Sequence, residues 1–97
     1  MHAVEYVKAD DLILAERDRQ DRKWGEQNHD HQWWMLILME EVGELAQAVL
    51  ERQFGGSHGT PQQIKAEAVQ VAAVAHAFLE YIERRAEIMT AITGEVL

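Results

Sequence analysis

The chain has 97 residues, a formal net charge of −8 and no cysteine. That length supports one hydrophobic core, so a single domain over 1–97 is expected; the missing thiols exclude a disulfide framework, a zinc–thiolate centre and a cysteine nucleophile, as suits a cytoplasmic protein. The acidic balance argues against a nucleic-acid partner, no basic-then-apolar leader opens the sequence, and no apolar run approaches the ~20 residues of a membrane span.

A first helix is expected over residues 9–23, with Asp10 as its N-cap and Leu12, Ile13 and Ala15 as an apolar patch. Its end, from Glu16 to Lys23, is densely charged. Trp24-Gly25 stops it, and residues 26–32 read as loop. A second helix is expected over 33–53. On a wheel of ~100° per residue, Met35, Leu38, Val42, Leu45 and Val49 share one side. Glu40, Glu44, Gln47 and Glu51 share the other, with Glu41 at the edge. Gly55 or Gly56 supplies a left-handed stop. A third helix starts at Thr60 as N-cap, with Pro61 in the first turn and Gln63 completing a capping box. It is expected to reach about residue 87, and 88–97 to form a short extra turn broken at Gly94. From Ala68 to Leu79 its only polar side chains are Gln70 and His76, so it should be buried on most sides. Two short partners from one chain cannot cover it. The expected architecture is therefore an all-α helical bundle completed by oligomerisation, as a homodimer or homotetramer.

Two acidic clusters carry the chemistry. Glu40, Glu41 and Glu44 span a ~100° arc of the second helix, with no Lys or Arg at helical spacing until Arg52. Taken alone they read as a solvated face. Glu67 and Gln70 change that, because they share a face of the third helix with Val71, Val74 and Phe78. A polar pair leading into an apolar stripe points at the core, and a buried carboxylate is costly unless it is paired or holds a metal. Oxygen-only ligands at this density favour Mg²⁺, with Mn²⁺ next, over zinc.

The constellation resembles the all-alpha NTP pyrophosphohydrolases of the MazG-like kind, relatives of the dimeric dUTPases. Their pattern is Glu-Glu-x-x-Glu on one helix and Glu-x-x-Asp on the next. Glu40, Glu41 and Glu44 complete the first half; Glu67 matches the second, with Gln70 where the family has Asp. The likeness covers residues 12–82, and the segment from Arg19 through Trp24-Gly25 to His29 is similar to the one ahead of the acidic helix in short, phage-type members. The resemblance implies a bundle of the all-alpha NTP pyrophosphatase type and a hydrolase that splits a nucleoside triphosphate into monophosphate and pyrophosphate. It implies Glu41, Glu44 and Glu67 as Mg²⁺ ligands, with Gln70 as a fourth through its amide oxygen. Glu40, with Glu41 the implied catalytic pair, binds a second ion or positions the attacking water.

The expected phosphate partners are Arg22 and Lys23, beside the Trp24-Gly25 break. Against them stands an ordinary solvated face with Arg17–Asp21 and Asp18–Arg22 pairs. Trp24, Trp33 and Trp34 offer base-stacking surfaces, though core or interface packing is expected of at least two. Met35 and Met39 read as core positions, and His76 as an interior residue with one hydrogen bond. His29-Asp30-His31 invites a zinc or HD-phosphohydrolase reading, which lacks its further ligands. A di-iron bundle would need Glu-x-x-His pairs, and here Gln47 and Gln70 stand at those positions. The competing functional reading is a non-catalytic helical assembly protein that kept the fold and lost the chemistry, with Gln70 as its main support.

Overall fold

The structure is a computed structural model that describes residues 2–94, with side chains from Lys8 onward. Three helices account for nearly all of it: α1 (His2–Trp24), α2 (His31–Phe54) and α3 (Pro61–Thr93). The all-α expectation holds.

Each helix departs from its expected bounds for a local reason. α1 begins at His2, not near residue 9, because nothing in residues 2–9 breaks a helix, and Asp10 lies inside it, not at its cap. α2 begins two residues early because Asp30 takes the N-cap, accepting the Trp33 N–H at 2.8 Å. Gly55, at φ 97°, ends it and returns its N–H to the Glu51 carbonyl. α3 starts as expected: Thr60 Oγ1 accepts the Gln63 N–H at 3.1 Å, and Gln63 Oε1 accepts the Thr60 N–H at 3.0 Å. It then runs without a break past residue 87 to Thr93. Gly94, left-handed at φ 76°, closes it with its N–H on the Thr90 carbonyl. The remaining residues of the expected extra turn, 95–97, lie outside the described part. Between α2 and α3, Gly59 is buried so tightly that a Cβ there would meet the Arg52 backbone. The loop is thereby pressed onto the end of α2.

α3 is the spine. α1 and α2 each pack against it, and among the described residues their backbones do not approach each other. The radius of gyration is 16.3 Å, against roughly 13 Å for a compact chain of about this size. So open a shape buries little. The core is Trp34 and Ala48 from α2 with Ala73, Val74 and Ala77 from α3. The Trp34 and Phe78 rings stack at 5.8 Å and 9°, and Ile37, Leu38 and Tyr81 pack around them.

The buried seam of α2 runs through Trp34, Ile37, Glu41 and Ala48. On the helical wheel it is rotated by roughly 90° from the apolar stripe of Met35, Leu38, Val42, Leu45 and Val49. Met35, Val42 and Val49 are exposed, while Leu38 and Leu45 are half-buried. Met39 is exposed too, so neither methionine is a core position in the single chain. Of the three tryptophans only Trp34 is buried; Trp24 and Trp33 are exposed. α3 is likewise barer than its composition predicts, with Leu79, Ile82, Ile88 and Ile92 facing out.

Because Trp34 anchors the only aromatic core among the described residues, Trp34→Ala should cost about 3–5 kcal/mol of stability. Urea unfolding followed by circular dichroism measures it. A loss under about 1 kcal/mol would mean that the α2–α3 seam is held by something else.

Candidate functional site

The Trp34–Phe78 stack turns the acidic side of α2 toward α3. Glu41 follows Trp34 by two helical turns on the same seam and is half-buried, whereas Glu40 and Glu44 flank it and are exposed. One carboxylate oxygen from each of Glu40, Glu41 and Glu44 lies within 4.8 Å of the others, a spread that a single cation can bridge. Glu67, half-buried on α3, faces this group from the side of Glu44. It lines a cavity of about 300 Å³ with Glu44, Gln47 and His58, but it does not join the 4.8 Å group.

The electrostatics record the crowding. The Glu41 carboxyl is pushed up to about 7, first by burial and then by Glu44, Glu67 and Glu40. Glu67 is also raised, by burial and by Glu44. Its Oε2 is buried without a hydrogen-bond partner. No Lys or Arg pairs with any of the four among the described residues; every cation in an ion pair is engaged elsewhere. The donor set, carboxylate oxygens alone, suits a hard divalent cation. An orphaned buried oxygen is the kind of group that such an ion satisfies.

Gln70 points toward α1 as well as toward the cluster. Its Oε1 accepts from Gln20 Nε2 at 3.4 Å, and its amide helps to hold the Glu16 carboxyl ionised. Glu16 is held down to about 2, above all by the Arg19 guanidinium at 2.7 Å. An amide here stands between the carboxylates of Glu16 and Glu41 without adding a third charge. Gln70 and Glu41 share the wall of a cavity of about 160 Å³ with Trp24 and Trp34. Trp24 thus lines the same cavity as Glu41 and Gln70, and Lys23 lies over its ring at 4.8 Å. Arg22 is paired with Asp18 at 2.8 Å on the outer face and lines none of these cavities.

The expected Arg17–Asp21 pair is present at 3.1 Å. Arg17 also reaches across to α3 and donates to Glu80 at 2.6 Å from a nearly buried position, a contact that the sequence did not reveal. The signal was Gln20, one turn on from Arg17, an uncharged residue in a charged run. Arg84 escaped notice as well: its NH2 donates to the Gln27 carbonyl at 3.0 Å and to Asn28 Oδ1 at 3.2 Å, fastening the 25–30 loop to α3. His76 is half-exposed, with Nδ1 3.4 Å from Glu80 and no well-formed hydrogen bond. His29 packs edge-on against Trp34, Asp30 is the cap, and His31 packs on Phe78, so this trio serves the fold.

No protein-family model, curated protein or solved structure matches the chain.

The raised carboxyls give a pH signature. A group whose folded pKa lies above its ordinary value stabilises the fold below that ordinary value, and the contribution is lost as pH rises through the folded value. For Glu41 that window runs from about 4.5 to about 7. Glu16 and Glu80 are shifted the other way, by Arg19 and Arg17, so they act below it. In chelator, the melting temperature should fall as pH rises from 5 to 8, and Glu41→Gln should flatten that slope and melt higher at pH 8. An unchanged slope in Glu41→Gln would show that Glu41 is not the strained group.

Proposed function

We propose that the chain is a Mg²⁺-dependent nucleoside triphosphate pyrophosphohydrolase, converting an NTP or dNTP and water to the monophosphate and pyrophosphate. The observation that carries the reading is the carboxylate cluster on the α2–α3 seam. Two of its members are half-buried, with raised pKa values and no cationic partner. Charge buried in this way destabilises a small domain unless something compensates it. The likeness of Glu40, Glu41, Glu44 and Glu67 to the MazG-like pattern supports the same chemistry.

In this reading Glu41, Glu44 and Glu67 hold the ion, and Gln70, tied to Gln20 of α1, supports the site from α3 or adds its amide oxygen. A bound Mg²⁺ would neutralise phosphate oxygens and lower the pKa of a water. Glu40, on the exposed side of the cluster, orients the attacking water. The water's oxygen bonds to the α-phosphorus and its proton passes to solvent, as the bond from that phosphorus to the bridging oxygen breaks and pyrophosphate leaves with the electron pair. Lys23, over the Trp24 ring that lines the adjoining cavity, is the better placed of the two expected cations to meet the departing charge.

The test is a pyrophosphate-release screen over ribo- and deoxyribonucleoside triphosphates with Mg²⁺ and with Mn²⁺. Metal-dependent release is expected, falling by about two orders of magnitude or more in Glu41→Gln and in Glu67→Gln while helix content is kept. No release from any triphosphate would overturn the assignment.

A second reading, a helical assembly protein without activity, draws on the engagement of Gln70 by Gln20 and Glu16 and on the bare apolar faces of α2 and α3. Both readings require self-association, because Leu36, Met39, Leu50, Phe54 and Ile92 are all more than half exposed in one chain. Sedimentation at low micromolar concentration should show a dimer or tetramer. A folded monomer there would refute the oligomeric architecture.

A further inference from the structure

Beside the carboxylate cluster lies a second, larger feature that the hydrolytic chemistry does not use. Between the end of α1, the 25–30 loop and α3 is a cavity of about 350 Å³, lined by Arg17, Gln20, Gln27, Trp34, Glu80 and Arg84 among others. That volume is within the range of small-molecule sites. Gln20, Gln27, Trp34 and Ala77 also line the smaller cavity that holds Glu41 and Gln70. The two spaces are therefore neighbours across the same side chains, and a ligand seated in the larger one leads toward the carboxylates.

We propose that this cavity is a base-recognition pocket selective for a 2-amino-6-oxopurine, with Glu80 as its specificity-determining carboxylate. The proposal rests on the nucleotide reading above and names the substrate class for it.

The polar groups are fixed before any ligand arrives. Arg17 Nε and NH2 both donate to Glu80 Oε1, at 3.0 and 2.6 Å, and neither goes to Oε2. Gln20, itself buried, holds Arg17 NH1 at 3.0 Å. Glu80 is held ionised by Arg17 and His76. One donor on the wall, the Trp34 indole N–H, makes no hydrogen bond; Arg84 is engaged by Glu26, its Nε 3.2 Å from Oε1. The site thus offers an oriented carboxylate that wants donors and one N–H group that wants an acceptor.

A guanine edge carries the complement: two adjacent N–H donors for a carboxylate, and next to them a carbonyl oxygen for the Trp34 N–H. Adenine and cytosine place an unprotonated ring nitrogen where guanine has its ring N–H, and a lone pair would then face the carboxylate. Uracil and thymine have one N–H flanked by two carbonyls, so one carbonyl would face it. Sites built on buried polar groups discriminate strongly against analogues that leave those groups unpaired.

The test is equilibrium binding of guanosine, adenosine, cytidine and uridine to the full chain by calorimetry, without divalent metal. Nucleosides avoid repulsion between phosphate and the glutamates. Guanosine should bind at least ~10-fold more tightly than the others, and Glu80→Gln should weaken it about 10-fold or more. Glu80→Gln leaves an amide oxygen for Arg17, and Glu80→Asp, which keeps the charge, should retain part of the preference. Equal binding of all four, tighter binding of another base, or no binding of any would overturn the pocket. Triphosphate hydrolysis without guanosine selectivity overturns the pocket and leaves the hydrolase standing. Selective guanosine binding without hydrolysis of any triphosphate supports the pocket and overturns the hydrolase.

Discussion

The stack of Trp34 on Phe78 determines how everything else in this domain is placed. The described chain has little other core, and a rotation of α2 about its axis by one residue position would carry Trp34 out of the seam. With Trp34 locked against α3, helical geometry fixes the bearing of every later side chain on α2. Glu41 comes round to the same seam two turns later, flanked by Glu40 and Glu44, and Glu67 meets them from α3. The aromatic contact thereby sets the position of the carboxylates, and Gln20, the one buried side chain of α1 among the described residues, abuts the same region.

Burying like charges on that seam works against folding. Each of Glu41 and Glu67 is shifted toward its neutral form, so the metal-free domain gives up ionised carboxylates or stability near neutral pH. α1 counters this with a network that stays outside the cluster. Arg19 neutralises Glu16, Arg17 neutralises Glu80, and Gln20 and Gln70 link the two by amide hydrogen bonds. Cations are thus kept one layer away from the glutamates. A Lys or Arg within the cluster would relieve the repulsion and occupy the place a metal ion takes, so the stability lost is the condition for a cation site.

Much of this was legible in the sequence, and the rest was hidden for identifiable causes. The α3 start was readable because Thr60, Pro61 and Gln63 are local signals whose hydrogen bonds close within one turn. The acidic triad was readable for the same reason, since Glu40, Glu41 and Glu44 are neighbours on any helix. The seam of α2 was not, because composition marked Met35, Val42 and Val49 as the apolar side while packing against α3 selected Trp34, Ile37 and Ala48. Hydrophobic periodicity reports the total apolar demand on a helix and does not divide it between partners. The long-range contacts of Arg17 with Glu80, and of Arg84 with Gln27 and Asn28, were out of reach for another reason. Each joins residues more than fifty positions apart, with no local spacing to betray them. Gln70 was visible as a departure from the Glu-x-x-Asp pattern, but its bonds to α1 required the fold.

In α2 the apolar stripe and the buried seam differ by roughly a quarter turn, so the helix has two faces to cover. One is used by α3. The other presents Met35, Met39, Val42 and Val49 on the opposite side of the helix from the exposed Glu40, and Phe54 stands bare at its end. Any surface that covers this stripe therefore approaches from behind the carboxylates and leaves them open to solvent. The geometry separates the two faces of α2: in the proposed function, association would proceed on the apolar side while ion and substrate would enter on the carboxylate side.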